Sequence, residues 1–223
     1  MISTTVKQSH SFQQISKLLE ARDNETPTDS INRTRASVAM ILRQAADDTE
    51  ILFIQRAADD QDPWSGHIAF PGGKLEEGEL VCQTARRETQ EEIGIDLDSG
   101  YYLGRLSDII GTNLPVRVSC CVFGVDSTDF VPKLSDEVSD VFWIGLTDLR
   151  DDARHLLADV AFSNRRLEVP AITIPCEGKP VLWGITYRLL MQFIGLLEHL
   201  DSGISESADC SMIPHSIELE EKD

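Results

Sequence analysis

Three glutamates are spaced so that one helix would carry them as a single stripe. Glu88, Glu91 and Glu92 occupy positions i, i+3 and i+4, and on an α-helix they fall within roughly 100° of arc. Such a stripe is ordinarily a solvated acidic face, in which neighbouring charges repel by roughly a few tenths of a kcal/mol per pair. A divalent cation reverses that repulsion, because Mg²⁺ and Mn²⁺ favour carboxylate and water oxygens. The stripe is therefore a candidate metal site.

The residues around the stripe favour a metal site over a solvated face. Gly73 is followed after five residues by Glu79, and seven further residues lead to Arg87 and the glutamates. The segment that contains them reads GKLEEGELVCQTARRETQEEIGI. It resembles the Nudix box, the signature of the Nudix hydrolases, and every charged and glycine position of that signature is filled. The single departure is Thr89, where the family usually has an aliphatic residue.

The resemblance implies a fold, a reaction and a set of metal ligands. The implied fold belongs to the α/β class and is a Nudix-type α/β/α sandwich with a mixed sheet. The implied reaction is hydrolysis of a pyrophosphate bond, which needs Mg²⁺ or Mn²⁺ to neutralise the phosphate oxygens and to activate water. By resemblance, the metal ligands are Glu88, Glu91 and Glu92, with the carbonyl of Gly73 as a further ligand. Arg87 would hold the carboxylates in place through charge-assisted hydrogen bonds.

The resemblance leaves two kinds of residue open as the general base. In some members of the family the base is a glutamate of the box, and Glu88 would then be the first candidate. In others it is a carboxylate of a later loop, which in this chain is Glu137, with Asp136 in reserve. The alternative for Glu137 is an exposed loop carboxylate without a catalytic role. We include Glu137 among the expected catalytic residues.

Two further segments are similar to the coenzyme A pyrophosphatase subgroup of the family. The first runs from residue 62 to residue 73, together with Arg56 and Ala57, and the second runs from residue 182 to residue 186. Coenzyme A or acyl-coenzyme A, a small-molecule nucleoside diphosphate derivative, is therefore the expected substrate. ADP-ribose and dinucleotides such as NADH are the alternatives. A non-catalytic Nudix-fold module that binds nucleotides for regulation is disfavoured, because this chain keeps all the box carboxylates.

The match to that subgroup departs shortly before Gly66. The subgroup typically has an arginine and a histidine there, whereas this chain has Asp62 and Trp64. A basic residue suits the 3′-phosphate of coenzyme A, and an aspartate does not. Trp64 suits either stacking on an adenine ring or capping the core, and His67 suits either a phosphate contact or a structural role. The expected substrate-binding residues are Arg56, Trp64, His67 and Lys74.

The composition argues against several other classes of protein. The chain has 223 residues, of which 41% are hydrophobic and 26% are charged, and its formal net charge is −18. These values are typical of a globular protein and disfavour general nucleic-acid binding, which needs a basic surface. The first residues lack the apolar run of a signal peptide, and the apolar stretch 181–197 contains Arg188 and Gln192. We therefore expect no membrane contact.

The number and spacing of the cysteines bear on the cell compartment of the protein. The five cysteines are odd in number and show no metal-ligand spacing. We expect them to be reduced and the protein to be cytoplasmic. The expected partner is a small molecule, and a homodimer is left open.

Apolar periodicity predicts a mixed α/β domain. A second stripe of the box helix, formed by Cys82, Ala85, Thr89 and Ile93, would face a sheet. Pro170 inside the last expected strand predicts a sheet edge. The expected helices span 11–21, 79–93, 148–157 and 184–200, and the expected strands span 35–43, 51–55, 68–70, 101–106, 116–125, 138–144 and 167–174, the first two as a hairpin. The expected divisions are an N-terminal helix and linker at 1–34, a Nudix hydrolase domain at 35–200, and an acidic flexible tail at 201–223.

Overall fold

The computed structural model describes residues 9–21, 33–59, 62, 64–111, 115–126, 131–162 and 165–201. The expected linker at 22–32 and the expected tail beyond residue 201 lie outside the described residues. The helices are α1 (His10–Ala21), α2 (Val81–Ile93), α3 (Leu146–Leu149) and α4 (Gly184–Asp201). The strands are β1 (Thr34–Gln44), β2 (Thr49–Arg56), β3 (Ile68–Ala69), β4 (Gly72–Lys74), β5 (Tyr101–Ile110), β6 (Val116–Val125), β7 (Val138–Gly145), β8 (His155–Phe162), β9 (Arg165–Ile172) and β10 (Leu182–Trp183).

A mixed sheet forms the centre of the fold. Its strand order is β3-β2-β1-β6-β5, and in addition β4 pairs with β1 and β7 pairs with β2. β1 and β6 run parallel, whereas the other paired strands of this sheet are antiparallel. Leu42 pairs with Ile51 in the hairpin of β1 and β2, as the sequence predicts. Because Ser37 of β1 pairs with Gly73 of β4, the glycine segment before α2 is held against the middle of the sheet.

Alternating side chains of β1 contribute to a core on each face of this sheet. Met40 lies in one core with Phe12 of α1 and Phe193 of α4. Ala39, the preceding residue, lies in a second core with Ala85 of α2. Helices therefore cover both faces, and the expected α/β/α sandwich with a mixed sheet is confirmed. In the described part of the chain, every helix falls short of the length and apolar character that a bilayer span requires.

A second sheet of three strands has the order β10-β9-β8. The helix predicted at 148–157 is wrong: α3 ends at Leu149, a 3₁₀ turn spans Asp152–Arg154, and the chain then extends as β8. Burial in this segment alternates with a period of two, which is the period of a strand: Ala158 and Val160 are buried, and the residues beside them are not. Pairing with β9 therefore determines the conformation of this segment.

Pro170 lies in the middle strand of the second sheet, so the predicted edge position is also wrong. β9 is flanked by β8 and β10, and Leu157 pairs with Pro170. The proline is tolerated because β10 has only two residues, which pair with Ala171 and Ile172. Among the described residues, Pro170 itself is therefore paired only with β8, and its missing N–H leaves no partner on the other side unsatisfied.

Two of the cysteines that were expected to be reduced form a disulfide. Cys82, in the first turn of α2, is bonded to Cys121 of β6, and their Cα atoms are 5.8 Å apart. Its neighbour Cys120 belongs to the opposite core and is free, and burial raises the pKa of its thiol to about 12. Cys176 is free and half-buried. The expectation of reduced cysteines is therefore wrong for the pair that joins α2 to the sheet.

Candidate active site

The loop between β4 and α2 is folded around the side chain of Glu79. Its carboxylate accepts the backbone N–H of Glu76 at 3.1 Å and the hydroxyl of Thr84 at 2.7 Å. The other end of α2 is closed by Gly94, whose left-handed φ of 72° lets its N–H bond to Gln90. Because both ends are fixed in this way, the direction in which the glutamate stripe points is also fixed.

Arg87 joins the loop to the carboxylates of the helix. Its Nε and Nη2 donate to the two oxygens of Glu79, at 2.9 Å and 3.0 Å. Its Nη1 donates to Glu88 at 2.9 Å and to Glu91 at 3.0 Å, and Nη2 also donates to the carbonyl of Lys74 at 3.2 Å. The hydrogen bonds from the guanidinium hold the pKa of Glu79 at about 2. One side chain therefore neutralises part of the charge of three carboxylates.

The glycines of β4 bring the backbone directly against two carboxylates. A Cβ at Gly73 would overlap the carboxylate of Glu88, so only glycine permits this close approach. The N–H of Gly72 donates to Oε2 of Glu92 at 2.9 Å. Glu92 is 4% exposed, and burial raises its pKa to about 7. Burial also raises the pKa of Glu88.

These groups have the chemistry of a divalent-metal site, since all are hard oxygen donors. Within the described ranges, however, no three acidic, histidine or cysteine side chains converge closely enough to hold an ion. Oxygens of Glu88 and Glu91 are turned towards Arg87, and one oxygen of Glu92 is turned towards Gly72. Each of these carboxylates has a second oxygen that makes no hydrogen bond with the described residues. The donor set therefore fits a divalent cation by its chemistry, and Glu88, Glu91 and Glu92 are the residues that would hold it.

Glu137, in the loop before β7, lies within electrostatic range of the same carboxylates. This loop is tied to the end of α2, because the N–H of Ser135 donates to the carbonyl of Glu92 at 2.8 Å. It is also tied to the end of β2, because the N–H of Ala57 donates to the carbonyl of Glu137 at 2.8 Å. Burial is the main cause of the raised pKa values of Glu88 and Glu92, and the charge of Glu137 adds to both. Glu137 therefore lies close to the box glutamates, from which it is distant in sequence.

Two of the expected substrate-binding residues are basic, and the structure places both at the margin of the carboxylates. Arg56 ends β2; its Nε donates to Oδ2 of Asp62 at 2.8 Å, and its Nη2 lies 2.8 Å from the same oxygen in an ion pair. Lys74 ends β4 and is exposed, and its carbonyl is held by Arg87. The aspartate that departs from the subgroup pattern, Asp62, is thus the ion-pair partner of Arg56, one of the expected substrate-binding residues.

Trp64 and His67, the other two expected substrate residues, pack in an aromatic cluster with Phe162 and Trp183. The ring of Trp64 is 4.6 Å from that of Phe162 and 6.2 Å from that of Trp183, between centroids. His67 is 5.1 Å from Trp183 in an edge arrangement. Burial lowers the pKa of His67, which favours the neutral ring. This packing favours a core-capping role for Trp64 and a structural role for His67.

Lys179, in the segment between β9 and β10, is a residue that sequence reasoning missed. Its Nζ donates to Oε1 of Gln55 at 2.8 Å and to the carboxylate of Asp140, and it lies 4.7 Å above the ring of Phe142. Gln55 in turn donates to the carbonyl of Gly66 at 3.3 Å. Lys179 therefore links the second sheet to the turn that precedes the glycine segment. No local signal marks it, because a single lysine in a loop is ordinarily solvated.

Comparison with known proteins gives a family match and several relatives. The NUDIX domain model matches residues 33–164. An uncharacterized protein of Schizosaccharomyces pombe, C14C4.10c, is 29% identical over 205 residues, which cover 74% of this chain and 60% of that protein. Nudix hydrolase 3 of Caenorhabditis elegans is 36% identical over 87 residues, covering 38% of this chain and 36% of that protein. The mitochondrial coenzyme A diphosphatase NUDT8 of Mus musculus is 35% identical over 89 residues, covering 38% and 41%.

A solved structure shares the fold at low sequence identity. The MutT/nudix family protein from Enterococcus faecalis superposes with a TM-score of 0.53 and 17% identity, over 86% of this chain and 75% of that one. At this identity the likeness concerns the fold alone. The chain spans 60% of the length of the fission yeast relative and 36% of that of the nematode relative.

Proposed function

The chain belongs to the NUDIX domain family, and from that membership we propose that it is a metal-dependent pyrophosphohydrolase. Its substrate would be a nucleoside diphosphate linked to another moiety. The observation that carries the proposal is the close approach of Glu88 to Gly73 and of Glu92 to Gly72, beside the guanidinium of Arg87. An acidic helix face with no ligand to bind has no need of a buried carboxylate, whose ionisation is costly.

Glu88, Glu91 and Glu92 would hold Mg²⁺ or Mn²⁺, with the carbonyl of Gly73 as a further ligand. Bound cations of this kind neutralise the non-bridging phosphate oxygens and lower the pKa of the attacking water. Arg87 positions Glu88 and Glu91 through Nη1, while its contacts with Glu79 fix the guanidinium itself. Arg87 would therefore act as a positioning residue, because its hydrogen bonds set the geometry of the ligands.

We assign the proton transfer from water to Glu137. Its side chain is exposed, so it can face a water molecule, and its backbone is anchored to Ala57. Glu88, the alternative base, accepts a hydrogen bond from Arg87 at 2.9 Å. That contact engages one of the two oxygens of Glu88, and Glu88 is also expected to hold the cation. The difference in partners supports Glu137 as the general base.

Coenzyme A or acyl-coenzyme A is the substrate that we favour. The mouse relative is a coenzyme A diphosphatase by name and is 35% identical over 38% of this chain. The two segments that resemble the coenzyme A subgroup also meet in space, since the ring centroid of His67 lies 5.1 Å from that of Trp183. ADP-ribose and NADH-type dinucleotides are the alternative substrates. Retention of every box carboxylate supports catalysis over a non-catalytic regulatory module.

A substrate panel tests the proposal. Coenzyme A, acetyl-coenzyme A, ADP-ribose and NADH are each incubated with the protein and Mg²⁺ or Mn²⁺, and products are identified by mass. Cleavage of coenzyme A should give 3′,5′-ADP and phosphopantetheine, and Glu92→Gln should lower kcat by at least about a hundredfold. Glu77→Gln, which changes an exposed carboxylate of the neighbouring loop, is the matched control and should keep activity. Absence of turnover on the whole panel, or full activity of Glu92→Gln, would overturn the proposal.

A further inference from the structure

Arg56 is placed where it can act on a substrate bound at the carboxylates. It is the last residue of β2, and the N–H of the next residue, Ala57, donates to the carbonyl of Glu137 at 2.8 Å. Its own N–H donates to the carbonyl of His67 at 2.9 Å. Its position is therefore fixed by backbone contacts on two sides.

Asp62 holds the guanidinium of Arg56 in a preorganised ion pair. Oδ2 of Asp62 accepts a hydrogen bond from Nε at 2.8 Å, and Nη2 also lies 2.8 Å from the same oxygen. The other oxygen, Oδ1, accepts the N–H of Trp64 at 3.0 Å, and the carbonyl of Asp62 accepts the N–H of Ser65 at 3.0 Å. The side chains are only 27% and 18% exposed. The aspartate is thus held by its own turn, and the pair is screened less by solvent than a fully exposed pair would be.

This pairing changes what Arg56 can recognise. Arginine binds phosphate best through its planar fork of N–H donors, and the edge formed by Nε and Nη2 is already occupied by Asp62. A phosphate that approached Arg56 would also meet a carboxylate of its own sign. We propose that Asp62 is a specificity-determining residue that, by holding Arg56, weakens selection for substrates with a phosphate beyond the diphosphate. This inference rests on the proposed function.

The substitution Asp62→Asn isolates the charge of Asp62 from its structural role. Asparagine has the same shape, and its side-chain oxygen can still accept the N–H of Trp64. Coenzyme A and dephospho-coenzyme A form the matched substrate pair, because they differ only in the 3′-phosphate. In the wild type the two values of kcat/KM should lie within about tenfold of each other, since the nearest arginine is neutralised. In Asp62→Asn the ratio should shift towards coenzyme A by about tenfold, mainly through a lower KM.

Two further variants separate this mechanism from a general structural effect. Adding Arg56→Gln to Asp62→Asn should return the ratio to that of the wild type, because the freed guanidinium is gone. Asp159→Asn is the matched control: it removes the carboxylate partner of Arg166, whose Nε lies 3.1 Å from Asp159 in an exposed pair of the second sheet. This control should leave the substrate ratio unchanged.

A binding measurement gives a readout that does not depend on turnover. Calorimetry compares adenosine 3′,5′-bisphosphate with adenosine 5′-monophosphate, and Asp62→Asn should bind the bisphosphate about tenfold more tightly relative to the wild type. An unchanged ratio in active Asp62→Asn, or a gain that persists without Arg56, overturns this inference alone. If the wild type cleaves no diphosphate substrate and binds neither nucleotide, the proposed function fails and the inference with it.

Discussion

Reducing the Cys82–Cys121 disulfide should lower the free energy of unfolding, and the length of the segment between the two cysteines determines by how much. The two residues are 39 positions apart. In the chain-entropy model, opening a loop of that length restores about 13 cal/mol/K to the unfolded chain, or about 4 kcal/mol at 25 °C. For a protein of about this size, 1 kcal/mol corresponds to about 2–4 °C in melting temperature. We therefore expect the melting temperature to fall by about 8–16 °C.

The assay is differential scanning calorimetry of the full chain with and without a phosphine reductant. Cys82→Ser should reproduce the shift without reductant, because Cys82 is half-buried and tolerates the hydroxyl. Cys176→Ser, which changes a free half-buried cysteine, is the matched control and should leave the melting temperature within about 2 °C of the wild type.

Two outcomes would refute the reasoning about the disulfide. Protein purified without reductant should yield a peptide that links Cys82 to Cys121, and its absence would show that the bond does not form. If mass spectrometry shows complete reduction and the melting temperature falls by less than about 2 °C, the entropic argument fails. In that case the reduced chain is held equally well by packing of α2 on the sheet.

The remaining predictions concern the site and its support. Glu92→Gln keeps an acceptor for the N–H of Gly72 but removes a charge, so kcat with Mg²⁺ should fall by at least about a hundredfold. The melting temperature of this variant in metal-free buffer should equal or exceed that of the wild type, because repulsion between like charges is relieved. Glu137→Gln should reduce kcat strongly and alter the acidic limb of the pH–rate profile, with metal affinity by calorimetry nearly unchanged; unaltered kinetics would return the role of base to a box glutamate. Lys179→Met removes the hydrogen bond that lowers the pKa of Asp140 below its ordinary value of 3.8. A carboxyl with a lowered pKa stabilises the fold above its unfolded pKa, and this contribution is lost as the pH falls through the folded value. The wild type should therefore melt about 2–4 °C above Lys179→Met at pH 7, and the difference should shrink in acid, whereas equal melting at pH 7 would count against the link.

Local apolar patterns predict the elements that build the sandwich. β6 spans Val116–Val125 as the sequence predicts, and β1, β2 and α4 agree within a few residues. The box helix begins at Val81, two residues later than predicted, because Glu79 uses its carboxylate to fold the preceding loop. These elements are predictable because each is determined by its own side chains.

The segment after β7 is not determined locally, and there the prediction fails. Leu149, Leu156 and Leu157 have helical spacing, which favours a helix. Pairing of β8 with β9 overrides that spacing and leaves Leu157 64% exposed. Propensity is a weak guide wherever a strand partner lies further along the chain.

The partners of several site residues also come from distant parts of the chain. The backbone of the loop that carries Glu137 is hydrogen-bonded to the end of α2 and to the residue after β2, and these bonds bring Glu137 into the region of the box glutamates. Lys179 is hydrogen-bonded to Gln55, which lies 124 positions away in sequence. Cys82 is bonded to Cys121 because α2 packs against β6. The sequence predicts the chemistry of these groups, but the contacts depend on the packing of the two sheets and the helix.

The charges around the site constrain the order in which its ligands come together. Arg87 is shared among carboxylates, and Arg56 is held by Asp62, so neither arginine is available to attract a phosphate at long range. Under the proposed function, a diphosphate substrate would therefore approach a site of its own sign on a chain whose formal net charge is −18. Divalent cations would then bind before the diphosphate or together with it, because they reverse the local field. Arg87 makes that sequence possible, since its hydrogen bonds keep Glu88 and Glu91 together before a cation arrives.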